Sequence, residues 1–269
     1  MTTPAIPIRA DVPVDLHPDT LAPFAAALDR EGVGGRGALA AAQEALADLY
    51  DFYAAAQHAE RELHRLSPSA RRRQHPDGTS EYLGDLRMVG GSLRSFHGHE
   101  EEFAAAAEQA FARAAKVADR RLKELKEHRE GVAKRVAEAV DHVPGRQPVG
   151  ISQAAEIRAH IKALPGEQRL ALVQTALSAG DKQTVAAVLS APAYLSGLSA
   201  DEMAGVRHAA ERKFAPEDSA ALIAVDGLIE RVMRAGSLAV GRLAEAQKVK
   251  AAPQAQARRA LHSLAAGRP

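Results

Sequence analysis

Apolar and small residues recur at alternating three- and four-residue spacing between Ala38 and Ser67: Leu39, Ala42, Leu46, Leu49, Tyr53 and Ala56, then Leu63 after a charged Glu60. That spacing predicts a helix with a heptad seam. Pro68 ends it, and Pro76-Asp77-Gly78 and Gly90-Gly91 mark an irregular segment reaching Gly98. A second long helix is predicted from about His99 to Val143, its seam passing through Phe111, Ala115, Ala118, Leu122, Leu125, Val132, Val136, Ala139 and Val143. Arg129 takes one seam position, and Gly131 beside it can bend the rod. At about 1.5 Å per residue the second rod is roughly 65 Å long and the first roughly 45 Å. Paired antiparallel, they leave Val132 to Val143 uncovered, which predicts another partner for those turns.

The flanking segments read differently. Met1 to Asp19 carries Pro4, Pro7, Pro13 and Pro18, and Ile8 to Val12 alternates as a short strand or an extended arm would, of the kind that grips a neighbour. Asp19 or Thr20 caps a short helix from Leu21 to Arg30, which the glycines between Gly32 and Gly37 stop. Beyond Pro144-Gly145-Arg146-Gln147-Pro148, the clearest break, the predicted helices shorten to Ser152–Leu164, Glu167–Ala179, Lys182–Ser190 and Ala200–Phe214, followed by a longer one from Pro216 to about Gln247. Gly180 suits a C-terminal cap before Asp181, Ser199-Ala200-Asp201-Glu202 is a capping box, and Pro216-Glu217-Asp218 places proline and acids in a first turn. The predicted core there is Leu170, Val173, Leu177, Val185, Val188, Leu189, Leu222, Ile223, Ile229 and Val232.

The expected fold class is therefore all-α: a long antiparallel helical hairpin, coiled-coil-like, followed by a compact multi-helix domain. Residues 1–37 form an arm and short helix, 38–143 the hairpin, 151–247 the compact domain, and 248–269 a basic, Ala-rich tail. After Glu245 the chain has no acid at all.

Composition narrows the chemistry. With no Cys in 269 residues there are no disulfides, thiolate metal sites or thiol nucleophiles. A formal charge of +1, from 35 basic and 34 acidic side chains, gives no long-range field towards nucleic acid, so any such contact is local. The N-terminus lacks a basic region followed by an apolar one, and no apolar run approaches the ~20 residues that span a bilayer. The expectation is a soluble protein, cytoplasmic unless carried in a virion.

Each candidate site competes with a plainer explanation. Gly32-Val33-Gly34-Gly35-Arg36-Gly37 matches a dinucleotide-binding fingerprint, but LAPFAAALDRE before it reads as helix where the fingerprint needs a strand. His97-Gly98-His99-Glu100-Glu101-Glu102 offers metal-ligand types, yet the two imidazoles lie two apart and three acids suit a helix's first turn without an ion. Arg71-Arg72-Arg73, beside His75, and Arg258-Arg259 in the tail are the candidate anion contacts. GDKQTVAAVLSAPAYLSGLS has a helix-turn-helix spacing but no clustered basic or amide residues to read bases. No G-x-S-x-G or H-E-x-x-H occurs.

Within Glu156–Glu202, Gly180-Asp181 followed by Val185-Ala186-Ala187-Val188-Leu189, and then Ala191-Pro192-Ala193-Tyr194-Leu195-Ser196-Gly197-Leu198, resembles helical proteins of unassigned role encoded by tailed phages and prophages. The resemblance covers under a fifth of the chain. It implies a setting, assembly or the virion, and no catalytic residue.

The function expected from the sequence is non-catalytic: a structural or adaptor protein, a homo-oligomer or a partner of other structural proteins, with no cofactor, metal, membrane or small-molecule substrate. Its expected interface is Leu46, Leu49, Tyr53, Leu122, Leu125, Val132 and Val136. The alternative is a nucleic-acid-associated protein using Arg71 to Arg73 and the basic tail.

Overall fold

The computed structural model describes residues 7–29, 34–66, 71–74, 80–83, 87–89, 92–94, 100–141 and 151–250. The fold is all-α in class. Its nine α-helices among the described residues are α1 Ala22–Leu28, α2 Gly35–Leu66, α3 Glu100–Asp141, α4 Ile151–Ala163, α5 Gly166–Ala179, α6 Lys182–Leu189, α7 Ala193–Ser196, α8 Ala200–Phe214 and α9 Pro216–Lys250. Helical turns at Val14–Leu16 and Pro18–Leu21 precede them. The expected irregular stretch after Pro68 differs from the observed one: β1 (Arg71–Gln74) pairs antiparallel with β2 (Ser80–Leu83), and β3 (Arg87–Val89) with β4 (Ser92–Arg94).

The chain divides into two compact units, each assembled from separated segments. One comprises Met1–Leu21, Ala41–Leu122 and Glu230–Pro269; the other comprises Ala22–Ala40 and Lys123–Ile229.

In the first unit, Phe52 of α2 meets Phe111 of α3 edge to face at 5.4 Å, and Glu44 pairs with Arg120 and Arg121. Residue numbers rise along one helix as they fall along the other, so the two run antiparallel here. The C-terminal half of α9 joins them: Phe103 and Ala107 of α3 pack with Ala246 and Leu243. Where the spacing predicts a two-helix hairpin, three helical segments share this unit. The buried set on α2 is correspondingly wider than one seam and includes Ala41, Ala45, Tyr50, Phe52 and Ala54.

The N-terminal arm belongs to the same unit and grips its own chain. Ile8 to Val12 is not a strand; the Val12 N–H donates to the Arg9 carbonyl at 3.2 Å, closing a turn. The Tyr50 hydroxyl donates to the Pro7 carbonyl at 2.8 Å and accepts from the Arg9 N–H at 2.9 Å. Leu16 and Leu21 are completely buried, and the His17 ring stands edge-on to Tyr50 at 5.3 Å. Asp15 meets Arg231 at 3.2 Å and Arg234 at 2.9 Å.

The second unit is organised by cap chemistry. Gly180, left-handed at φ 75°, donates to the Leu177 carbonyl while the Asp181 N–H reaches the Ala176 carbonyl, a Schellman closure of α5. The Asp181 carboxylate then accepts from the Thr184 N–H and opens α6. Ser199 and Glu202 form the reciprocal capping box of α8. Val140, Ile161, Val173, Val185, Val188, Leu189, Leu198, Val206 and Ala210 make the core, with Leu170 and Leu177 packed at its margin. Ile223 is a correction: expected in the core, it is 68% exposed. Gly35, the first residue of α2, also has a packing role, because a Cβ there would lie 2.7 Å from the Leu28 carbonyl oxygen at the end of α1.

Candidate functional site

Four cations of the second unit reach carbonyls at helix ends. Arg158 donates to the Ala187 carbonyl at 2.8 Å and Arg207 to the Leu189 carbonyl at 3.1 Å, both in the last turn of α6. Arg169 spans the Leu164 carbonyl at 2.9 Å and the Gly197 carbonyl at 3.0 Å, joining the ends of α4 and α7. Lys182 donates to Ala139 at the end of α3 and lies over the Phe214 ring. The last carbonyls of a helix have no partner within it and carry the negative end of its dipole, so a buried stem with a cationic head satisfies both. Arg129 and Arg135 of α3 pair with Asp226 and Asp218 of α9.

His128 of α3 lies in the same unit with its Nε2 buried and without a hydrogen-bond partner. Burial, and then the positive charge of Arg135, hold its imidazole below the ordinary value of 6.5. The unfolded chain therefore takes up this proton first as pH falls. Unfolding free energy drops on acidification below about 6.5 and levels off beneath the folded-state pKa. Denaturant titrations from pH 7 to pH 5 will show a weaker pH slope for His128→Gln than for the wild type.

An open groove of about 540 Å³ lies in this unit between α4 and α5. Ile157, Ile161, Leu172 and Ala176 form its apolar floor, and Glu156, His160, Asp181, Thr175, Thr184 and Ala179 complete the wall. Thr175 donates to the Ala171 carbonyl, and Thr184 and Asp181 bond to each other. The exposed Glu156 and His160, one turn apart on α4, stand at the rim. The volume falls in the range of ligand-binding pockets, and its chemistry suits an apolar group bearing a cation.

In the first unit, α9 buries Arg242 to 3% exposure. Its guanidinium donates to the Ala56 carbonyl at 3.1 Å and to Glu245 at 2.9 Å, pairs with Glu60, and lies over the Tyr53 ring at 6.0 Å. Burial opposes the charge, but hydrogen bonds to Glu60 and Glu245 outweigh it and raise the pKa further. On α2, burial and then the Glu44 and Asp51 carboxylates push Asp48 up, against the opposing charge of Arg120. The outer face of α9 is different in kind. Met233 is 55% exposed and Val240 53%. With exposed Ser237, Gly241 and Ala244 they share one face at four-, three-, one- and three-residue steps. The Ser237 hydroxyl bonds back to the Met233 carbonyl, which leaves this strip low and apolar.

The residues expected to form a partner interface are placed otherwise. Leu46, Leu49, Leu125, Val132 and Val136 are buried within the chain, and Tyr53 and Leu122 are half-buried. The reason is the number of helices: α2 and α3 fill their seams with this chain's own segments, so no second molecule is required there. Arg71, Arg72 and Arg73 lie on β1, opposite Leu83, Tyr82 and Glu81. Arg258 and Arg259 fall outside the described residues, as do His97 and His99. Among the described residues no cluster of three or more His, Asp or Glu is arranged to hold a metal, and no helix is long and apolar enough to cross a membrane.

The groove and the α9 strip both escaped the pattern of large apolar residues. The paired spacing of Ile157 with Ile161 and Glu156 with His160 is the signal that marks the first, and the seven-residue step from Met233 to Val240 marks the second. Comparison with protein families, with curated proteins and with solved structures finds no match to this chain.

Proposed function

We propose that this protein is a non-catalytic structural or adaptor component that works by helix-on-helix association with a further copy. The observation that carries the reading is the exposed strip on α9, where Met233 and Val240 share a face with Ser237, Gly241 and Ala244. Small residues let a second helix approach closely, and the two large apolar side chains among them lose contact with water when it does. The resemblance of Glu156–Glu202 to phage and prophage proteins supports a setting in assembly or the virion. Size exclusion coupled to light scattering tests this. A mass that rises above the monomer with concentration, and returns to it in Met233→Glu/Val240→Glu with helical content unchanged, is the expected result. A wild-type mass that stays monomeric at every concentration removes self-association.

One observation favours a second reading, association with nucleic acid. Arg71, Arg72 and Arg73 follow one another along β1, and Arg87 of β3 is registered directly opposite Arg94 of β4. Arginine is the residue type that suits bidentate contact with phosphate. Retention on duplex DNA at ~0.15 M salt, weakening steeply as salt is added, supports this reading. Unchanged mobility counts against it.

A further inference from the structure

We propose that the α4–α5 groove receives the C-terminal segment, residues 251–269, of a second copy of the chain. The inference rests on the reading that copies associate, and it names a contact distinct from the α9 strip. Two features match. The groove has an apolar floor of Ile157, Ile161, Leu172 and Ala176, and its ionisable lining is Glu156, His160 and Asp181, with no Lys or Arg. The segment AAPQAQARRALHSLAAGRP contains no acid and sets Arg258 and Arg259 two to six residues before Leu261 and Leu264.

A short apolar pair preceded by cations fits a greasy floor with acids at its mouth. The leucines lie on the isoleucines and Leu172, and the guanidinium groups reach the Glu156 and Asp181 carboxylates. The length is sufficient: Arg258 to Leu264 spans roughly 10 Å if helical, and the α5 wall from Leu172 to Ala179 is about as long. Each copy carries one groove and one tail, so the contact either closes as a reciprocal exchange between two copies or propagates head-to-tail into a ring or a filament.

The chain has no cysteine, which makes full-length single-cysteine variants informative. Thr175→Cys in the groove and Leu264→Cys in the tail are mixed under mild oxidation and the disulfide species separated by mass tag. The expected result is groove-to-tail product several-fold above groove-to-groove and tail-to-tail. Adding Glu156→Lys to the groove variant lowers its yield roughly fivefold, the scale of one exposed charge pair. A statistical mixture overturns the proposal, and so does equal capture of the tail by Lys213→Cys, an exposed position on α8 that does not line the groove. A tail held in its own groove also gives the statistical result. If light scattering shows association while the disulfides are statistical, the groove contact fails and association through α9 stands.

Discussion

Arg242→Ala will lower the unfolding free energy by about 3–5 kcal/mol, read as a shift of the denaturant midpoint with an unchanged slope. Arg242 sits 3% exposed on the buried face of α9, among residues otherwise reduced to Ala, Val and Leu. Truncation removes the Arg242–Glu60 ion pair, strips a hydrogen bond from the Ala56 carbonyl and opens a void beside Tyr53. Arg242→Met fills the void but still loses the ion pair with Glu60. It will lose less than Arg242→Ala, and Arg242→Met/Glu60→Leu will recover most of the difference, because an apolar pair replaces a buried ionic one at little net cost. Equal losses for Ala and Met would mean that packing around the stem contributes nothing.

Leu16→Ala is expected to cost about 2–5 kcal/mol, the range for a fully buried leucine. Leu16 anchors a turn whose neighbours are held by Tyr50 at one end and by Asp15 with Arg231 and Arg234 at the other. The ion pairs are partly exposed and worth little each, so they cannot hold the arm once the leucine is gone. Limited proteolysis should therefore cut the N-terminal 20 residues of Leu16→Ala well before the rest of the chain. An arm of unchanged resistance would show that the Tyr50 hydrogen bonds alone retain it.

The stripe that α9 buries explains why Ile223 departs from the expected core. Ala221, Val225, Leu228, Val232, Ala235, Ala239, Arg242 and Ala246 follow strict three- and four-residue steps and are all buried. Half of them are alanine and one is a cation, while Ile223, Met233 and Val240 fall on the outer face. A reading that weights large apolar residues finds the helix and Val232 but misplaces Ile223 and passes over the alanines. The same small residues conceal the second buried face of α2. Site residues were harder still, since Ile157 and His160 acquire meaning only when α5 supplies Leu172 and Thr175 opposite them.

Local chemistry was written in the chain. The Schellman glycine at 180, the cap at Asp181, the Ser199–Glu202 box and the proline-led start of α9 each depend on atoms within six residues, and all were legible there. Which helices share a unit was not. A seam of Ala, Leu and Val is satisfied by any similar seam, because dispersion and apolar burial carry no address. Only the packed chain decided that Phe52 would meet Phe111, that Arg242 would find Glu60 and that the arm would close on Tyr50.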